Sequence, residues 1–387
     1  MQEKQSRRSG VYRSGQQTRR RVPVWLIVSL AILTVAVGVV LVVRNRTARA
    51  EISAMAMPCD ASQHVTPFGD AVLYYDGASI HCCEPGGGIR FSFPCGINAQ
   101  FSASDTHLVI WSGTQLFIVN SRGVVSYNEN MEETVQFARI GHRYCAVVVG
   151  DDDTEPALLI KNLDGTQADY EKEAYSGMVL LDAGFYGDQD RYLWTLSFDF
   201  YGVALNTVMH TYEVAKMNTG QVTLSNLAYK VVYENTNLRV FTTQQMYTYS
   251  YNAVPKADAT RLTYGWQVTG VDIPARGDAN ILLGRTAQLT GADQRVTDVK
   301  VVRGGENYMG TLPEACVGIG VLDGTVWGVA PRDLYQAPAT RLQAFSGQPI
   351  PLPEGKQVER LIGLTTNGYA VVACTDQTVY AVHLPAR

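Results

Sequence analysis

The side chains that could do chemistry are sparse and scattered along this chain of 387 residues. None of its six histidines belongs to an HExxH pair: His64, His81, His107, His142, His210 and His383. The sequence also has no GxSxG segment, which would present a nucleophilic serine at a sharp turn. We therefore predict no catalytic and no cofactor-binding residue, although distant residues could still assemble a composite site.

Two short segments contain residue types that bind metal ions. His81-Cys82-Cys83 offers an imidazole and two thiols, but no CxxC or HxxxH spacing supplies the remaining ligands. The run Asp151-Asp152-Asp153-Thr154-Glu155 could offer oxygens to calcium, but the EF-hand pattern with its glycine and distal glutamate is absent. We interpret this run as a solvated turn and predict no metal site.

Three alternating tyrosines are the candidate for ligand binding. Tyr247, Tyr249 and Tyr251 would line one face of a β-strand. If that face is exposed, a sugar or a peptide could stack on the rings. Packing between neighbouring sheets is the alternative explanation for the same pattern.

The seven cysteines do not suggest a disulfide framework, because their spacing is irregular and the chain is too long to need covalent staples. Cys82 and Cys83 are adjacent, so in a strand their side chains point to opposite faces. Only one of them could pair readily with Cys95.

A long apolar segment lies near the N-terminus, ahead of all the candidate residues named above. The 21 residues from Pro23 to Val43 carry no charge, and as a helix they would span about 30 Å, the thickness of a bilayer core. Seven basic residues precede the segment and three follow it, which predicts a cytoplasmic N-terminus. A signal peptide cleaved before Glu51 and a buried soluble helix are the alternatives.

Charge is distributed unevenly along the chain. Residues 1–21 carry seven basic residues and Glu3, a net charge of +6, and three arginines follow the apolar segment, so the total of −4 leaves −13 for residues 50–387. A nucleic acid would be repelled by so acidic a domain. We expect the basic tail to be disordered and to lie against anionic lipid headgroups, and a cytoplasmic partner for the tail is the alternative.

Short runs of β-branched and aromatic residues, separated by tight turns, recur through the rest of the chain. LVIWSGTQLFIVNSRGVVSY, residues 108–127, reads as strand, turn, strand, turn and strand. VLYYDGASIHCCEPGGGIRFSF, residues 72–93, has the same plan, and variants continue to the C-terminus.

Glycines give the spacing of these units. If Gly88, Gly123, Gly165 and Gly220 each close the second turn of a unit, the intervals are 35, 42 and 55 residues. Such lengths suit the four-stranded blades of a β-propeller, which have roughly 40 residues each. The sequence thus predicts an all-β fold with seven or eight blades, and a pair of β-sandwiches is the alternative.

Closure of the ring needs one more strand. The last unit, VERLIGLTTNGYAVVACTDQTVYAVHL, provides three strands before the chain ends. We expect a strand within residues 61–67 to supply the fourth, which would join the two ends of the ring and remove an exposed sheet edge.

On these strand and turn patterns, residues 60–387 resemble the WD40/quinoprotein-like β-propeller superfamily. The layout of basic tail, apolar segment and propeller is similar to that of single-pass, membrane-anchored propeller proteins of clostridia-type Gram-positive bacteria. The sequence has no WD dipeptide and none of the tryptophan docking repeats of quinoprotein dehydrogenases. The resemblance therefore implies a fold and no active site.

These observations predict four segments and two alternative functions. The segments are a cytoplasmic basic tail at 1–21, a transmembrane helix at 22–43, a juxtamembrane linker at 44–59 and an extracytoplasmic propeller at 60–387. The favoured function is a non-catalytic binding or scaffold module at the cell membrane, with a protein or cell-envelope partner and no nucleic acid. The alternative is an enzyme that acts on an envelope polymer or a small ligand at the axial funnel.

Overall fold

The computed structural model describes residues 52–151, 155–200, 206–256 and 260–385. Within these residues the strands form eight four-stranded antiparallel sheets. Eight apolar clusters lie between the sheets, one at each junction of neighbours, including the junction of the last sheet with the first. The fold is therefore a closed β-propeller of eight blades, and the predicted all-β architecture is confirmed.

The first four blades use sixteen consecutive strands. Blade 1 contains β2 His64–Phe68, β3 Ala71–Tyr75, β4 Ser79–Cys83 and β5 Ile89–Pro94. Blade 2 contains β6 Gln100–Ala103, β7 His107–Ser112, β8 Gln115–Asn120 and β9 Val125–Asn130. Blade 3 contains β10 Val135–Ile140, β11 Tyr144–Val149, β12 Ala157–Asn162 and β13 Gln167–Glu171. Blade 4 contains β14 Met178–Tyr186, β15 Tyr192–Asp199, β16 Asn206–Glu213 and β17 Met217–Leu224.

The other four blades complete the ring. Blade 5 contains β18 Ala228–Glu234, β19 Asn237–Thr242, β20 Gln245–Ser250 and β21 Arg261–Leu262. Blade 6 contains β22 Trp266–Asp272, β23 Asn280–Arg285, β24 Val296–Arg303 and β25 Glu306–Cys316. Blade 7 contains β26 Gly318–Leu322, β27 Thr325–Val329, β28 Asp333–Pro338 and β29 Ser346–Pro349. Blade 8 contains β30 Val358–Leu364, β31 Tyr369–Cys374, β32 Thr378–His383 and, at its outer edge, β1 Ala54–Asp60.

Burial along each blade follows from this radial arrangement. The second strands are covered on both faces by neighbouring blades, so β11, with the sequence YCAVVV, is buried at every position. The fourth strands form the outer edge, and β9, with the sequence VSYNEN, has no buried residue. The first strands of adjacent blades contact one another, which places them around the axis.

The turns between third and fourth strands largely follow the prediction. Gly123 and Gly165 lie in such turns with φ of +78° and +86°, a region that glycine adopts at little cost. Gly88 also lies in such a loop, before β5. Gly220 does not close a turn; it lies within β17 at a bulge, where an added Cβ would meet the carbonyl oxygen of Asn252 at 2.2 Å. The expected role of Gly220 was therefore wrong.

The ring is closed by the first strand of the propeller. β1 pairs with β32 in antiparallel register, from Ala54 opposite Val382 to Asp60 opposite Thr378. The prediction of a closing strand within residues 61–67 was wrong, because His64–Phe68 is β2, the innermost strand of blade 1.

Helices contribute little to the described residues. One α-helix, α1 Thr286–Leu289, and two short 3-10 helices, Glu173–Tyr175 and Asp188–Asp190, lie between strands. In this part of the chain no helix has the length and apolarity needed to cross a bilayer. The predicted tail at 1–21 and the predicted transmembrane helix at 22–43 lie outside the described residues.

The propeller has two different rims. The entry rim carries the loops between first and second strands and between third and fourth strands. Ile52 and Pro385, the first and last described residues, both lie on this side, because β1 begins and β32 ends there. The far rim carries the loops between second and third strands and the connections between blades.

Candidate partner-binding surface

The axial side of blades 6, 7 and 8 is apolar. The inner strands β22, β26 and β30 line a cavity of about 430 Å³. Its wall consists of aliphatic side chains, glycines and one threonine: Thr269, Gly270, Val271, Leu289, Val317, Gly318, Ile319, Gly320, Val321, Leu361, Ile362, Gly363 and Leu364. Because these are first strands, each has one unpaired edge whose backbone groups face the axis.

Across the ring, the axial side of blades 3 and 4 is charged. The Nε of Arg139 on β10 donates to Oδ1 of Asp182 on β14 at 2.7 Å. Both side chains are about a third exposed, at 36% each. The axis is therefore bounded by an ion pair on one side and by aliphatic groups on the other.

An exposed apolar patch lies on the far rim of blade 4. We call it the far-rim patch, and it consists of Val179, Leu181, Phe198, Phe200 and Leu227. Val179 lies directly opposite Phe198 in the sheet, and the rings of Phe198 and Phe200 meet edge to face at 4.7 Å. The exposed fractions are 45% for Val179, 39% for Leu181, 57% for Phe200 and 46% for Leu227. Large apolar side chains grouped in this way mark interaction surfaces more often than chance exposure.

The arrangement of blades 4 and 5 brings Leu227 to this patch. Thr207 lies opposite Phe198 in the sheet, and its Oγ1 accepts a hydrogen bond from the backbone N–H of Ala228 at 3.1 Å. Leu227 is therefore held beside the end of blade 4.

Strand length explains why the patch is uncovered. β15 has eight residues, whereas the second strands of the other blades have five or six. Two extra residues add about 7 Å of strand. At the far rim, blade 5 begins only with Ala228, so it leaves Val179 and Phe200 at the end of blade 4 exposed.

Polar groups border the far-rim patch. Lys230, on the inner strand of blade 5, is exposed, and Asp182, with its partner Arg139, follows Leu181 on the inner strand of blade 4. An apolar centre with a charged border is the composition of a protein–protein contact surface. The patch thus resembles such a surface in composition as well as in exposure.

The predicted tyrosine face is not a single exposed surface. Tyr247 and Tyr249 lie side by side with ring centroids 6.3 Å apart, but Tyr249 is only 4% exposed and packs between blades 4 and 5. Burial raises its pKa to about 12. Tyr251 lies beyond the end of β20 in an entry-rim loop, is 42% exposed and contacts the ring of Tyr192 at 5.1 Å. Packing between blades accounts for most of the pattern.

Metal-ligating residues remain apart in the structure. No group of three or more His, Cys, Asp or Glu side chains suited to a metal ion occurs among the described residues. Cys82 and Cys83 point to opposite faces of β4 as predicted, since Cys82 packs between blades 1 and 2 and Cys83 between blades 8 and 1. All seven cysteines are buried free thiols. Residues 152–154 of the acidic run lie outside the described residues.

Comparisons with known proteins identify the fold alone. No family model matches the chain, and no curated protein matches its sequence. The structure of Sqt1 from Saccharomyces cerevisiae is 10% identical with a TM-score of 0.56, and the alignment covers 87% of this chain and 100% of that one. BamB from Moraxella catarrhalis is 12% identical with a TM-score of 0.51, covering 86% of this chain and 98% of that one. The chain thus shares the fold of these two structures.

Sequence reasoning missed the far-rim patch. Val179, Leu181 and Phe200 have the residue types of core positions, and nothing adjacent in the sequence marks them as exposed. The available signal is length: the run from Tyr192 to Phe200 is longer than the corresponding strand of the other units. A unit longer than its neighbours projects beyond them, so part of its apolar pattern remains uncovered.

Proposed function

We propose that this chain is a membrane-tethered, extracytoplasmic and non-catalytic binding module that takes a protein partner at the far-rim patch. The observation that carries the proposal is the exposure of Val179, Leu181, Phe200 and Leu227, each 39% or more, at the far rim of blade 4 and its connection to blade 5. Removing such a patch from water on binding is favourable by about 25 cal/mol per Å² of apolar surface, before the costs of association.

The position of the chain's entry point supports the tethered arrangement. The described chain begins at Ile52 on the entry rim, and the uncharged segment from Pro23 to Val43 precedes it in the sequence. Any tether ahead of Ile52 therefore joins the propeller on the side opposite the far-rim patch. The patch remains free for a partner in this arrangement.

The axial cavity is compatible with the same role. Its aliphatic wall and the unpaired edges of three inner strands offer apolar surface and backbone hydrogen-bonding groups. Backbone edges of this kind accept extended peptide segments in other proteins. A partner held at the far-rim patch could extend a segment towards the axis.

Site-specific crosslinking in intact membranes tests the binding surface. We expect a photo-crosslinking residue at position 200 or 227 of the full chain to capture the same protein species. The control is position 97, because Ile97 is 73% exposed on the same rim between blades 1 and 2. A second variant, Leu181→Asp, should abolish capture at positions 200 and 227 by placing a charge in the contact. Equal capture from position 97, or undiminished capture in Leu181→Asp, would contradict the assignment.

Protease accessibility tests the predicted topology separately. We expect a tag after Arg387 to be digested by protease added to intact spheroplasts, while a tag before Met1 survives until the membrane is permeabilised. Protection of the C-terminal tag would place the propeller on the other side of the membrane and overturn the extracytoplasmic assignment.

A further inference from the structure

Three loop tips on the entry rim combine an exposed aliphatic side chain with an exposed cation. The loop after β8 presents Arg122 and Val124, and the valine is 58% exposed. The loop after β20 presents Val254, 54% exposed, with Lys256 two residues later. The three tips share this pairing, and the third, after β22, presents Ile273, 58% exposed, and Arg276.

The three cations have no carboxylate partner among the described residues. Among the ion pairs of the described residues, none includes Arg122, Lys256 or Arg276. Carboxylates of the same rim do have partners, through ion pairs or backbone N–H groups: Asp70, Glu84, Asp190, Glu213 and Asp272. Each of the three tips therefore presents a cation, while Asp70, Glu84 and Glu213 on the same rim are held in ion pairs.

The tips are distributed around the ring. They belong to blades 2, 5 and 6, so one lies across the axis from the other two. Three separated points define a plane, and a flat surface could therefore touch all three together. A small ligand or a single peptide segment could not.

The chain outside the described residues indicates what that flat surface is. The described chain begins on this rim at Ile52, and eight residues separate it from the uncharged segment that ends at Val43. Even fully extended, this connection reaches only about 30 Å. If the uncharged segment spans a bilayer, as proposed above, a connection of this length keeps the entry rim close to it.

We infer that the entry rim rests on anionic lipid headgroups, with Val124, Val254 and Ile273 at the interface and Arg122, Lys256 and Arg276 against the phosphates. This inference rests on the tether of the proposed function. Each cation near an anionic surface strengthens the attraction roughly fivefold at low salt, and the aliphatic side chains add apolar burial. The contact orients the propeller so that its far rim faces away from the membrane.

Labelled full-length chain in lipid nanodiscs provides the test. Cysteine is introduced singly as Val124→Cys, Val254→Cys or Ile273→Cys and labelled with an environment-sensitive fluorophore. The seven native cysteines are buried, and burial raises the pKa of Cys59 and Cys82 to about 12, so they compete poorly for the reagent. Ile97→Cys on the far rim is the matched control.

The expected result is at least a twofold rise in emission at the three entry-rim positions when phosphatidylglycerol is included in phosphatidylcholine nanodiscs. The control at position 97 should not change. Combining Arg122→Gln, Lys256→Gln and Arg276→Gln should remove most of the rise, as should high salt, because both weaken the attraction to phosphate. Emission at the entry-rim positions equal to that of the control would overturn the inference, and an equal rise without anionic lipid would overturn the role of the cations.

The same preparation separates this inference from the proposed function. If the chain inserts into nanodiscs and position 200 still captures its partner, but the entry-rim reporters do not respond, only the lipid contact is wrong. If the full chain does not co-purify with nanodiscs, the tether itself is wrong and both proposals fall.

Discussion

The inner strands of neighbouring blades must pack side by side around the axis, and two regions of the ring do this differently. The aliphatic wall is formed by blades 6 to 8, and the charged wall is formed by blades 3 and 4. In blades 6 to 8, glycines on the inner strands receive side chains of the adjacent strand: a Cβ at Gly318 would lie 2.4 Å from Cβ of Leu361. In blades 3 and 4, the ion pair of Arg139 and Asp182 bridges two inner strands in contact with solvent. The aliphatic side of the axis thus sets the spacing of its strands by close packing, whereas the charged side contributes only a partly exposed ion pair.

The largest effect should come from filling a glycine on the aliphatic wall. Gly318→Ala should lower the free energy of unfolding by about 2–3 kcal/mol, because Cβ of Leu361 cannot move without its backbone. Alanine also lowers the conformational entropy of the unfolded chain, but the resulting stabilisation of at most about 1 kcal/mol does not offset this clash. Urea denaturation of the full chain followed by tryptophan fluorescence measures the change.

Two other glycines act as controls for this clash. Gly86→Ala should be neutral within about 0.5 kcal/mol, because no atom lies within 4 Å of its added Cβ. Gly320→Ala should cost less than Gly318→Ala, because the nearest atom is the terminal Cδ1 of Leu364, which can rotate. Equal stabilities for the three variants would show that the strand spacing is not set by these contacts.

A smaller effect should come from the junction of blades 8 and 1. An added Cβ at Gly363 would lie 2.7 Å from Cγ of Pro67, an atom of a rigid ring. We expect Gly363→Ala to cost about 1–2 kcal/mol, because β2 can shift slightly at its partly exposed position. Thermal unfolding of the full chain measures the loss, and an unchanged midpoint would indicate that this junction is loose.

The smallest effect should come from the charged wall. Asp182→Asn and Arg139→Gln should each change stability by less than about 1 kcal/mol, because a pair exposed to this extent gains little from attraction in water. A double-mutant cycle with both substitutions gives the coupling directly. A coupling above about 2 kcal/mol would mean that the charged wall also holds the ring together.

Much of the fold could be predicted because its signals are local. The second and third strands of each blade are covered on both faces, so they appear as apolar runs such as those around Ile110 and Val147. Turns with positive φ favour glycine, which made Gly123 and Gly165 useful markers of the repeat.

The parts that could not be predicted depend on distant neighbours. The closing strand AMAMPCD contains Pro58 and does not alternate clearly, and only its pairing with β32 makes it a strand. Gly220 looked like a turn residue, but its role is to admit the backbone of Asn252 from the next blade. The far-rim patch arises because blade 4 is longer than blade 5, a difference that shows only when the strands of different units are compared.

The closing strand also sets the order in which the molecule can be completed. β1 is synthesised before every other strand of the propeller, yet its partner β32 is synthesised last. Until β32 has been synthesised, β1 is unpaired and blade 8 is incomplete. The nascent chain therefore has unpaired strand edges during most of its synthesis. Long-range pairing of this kind folds slowly and is prone to aggregation. Closure of the ring therefore waits for β32, and a chain truncated before Thr378 would remain an open intermediate that is prone to aggregation.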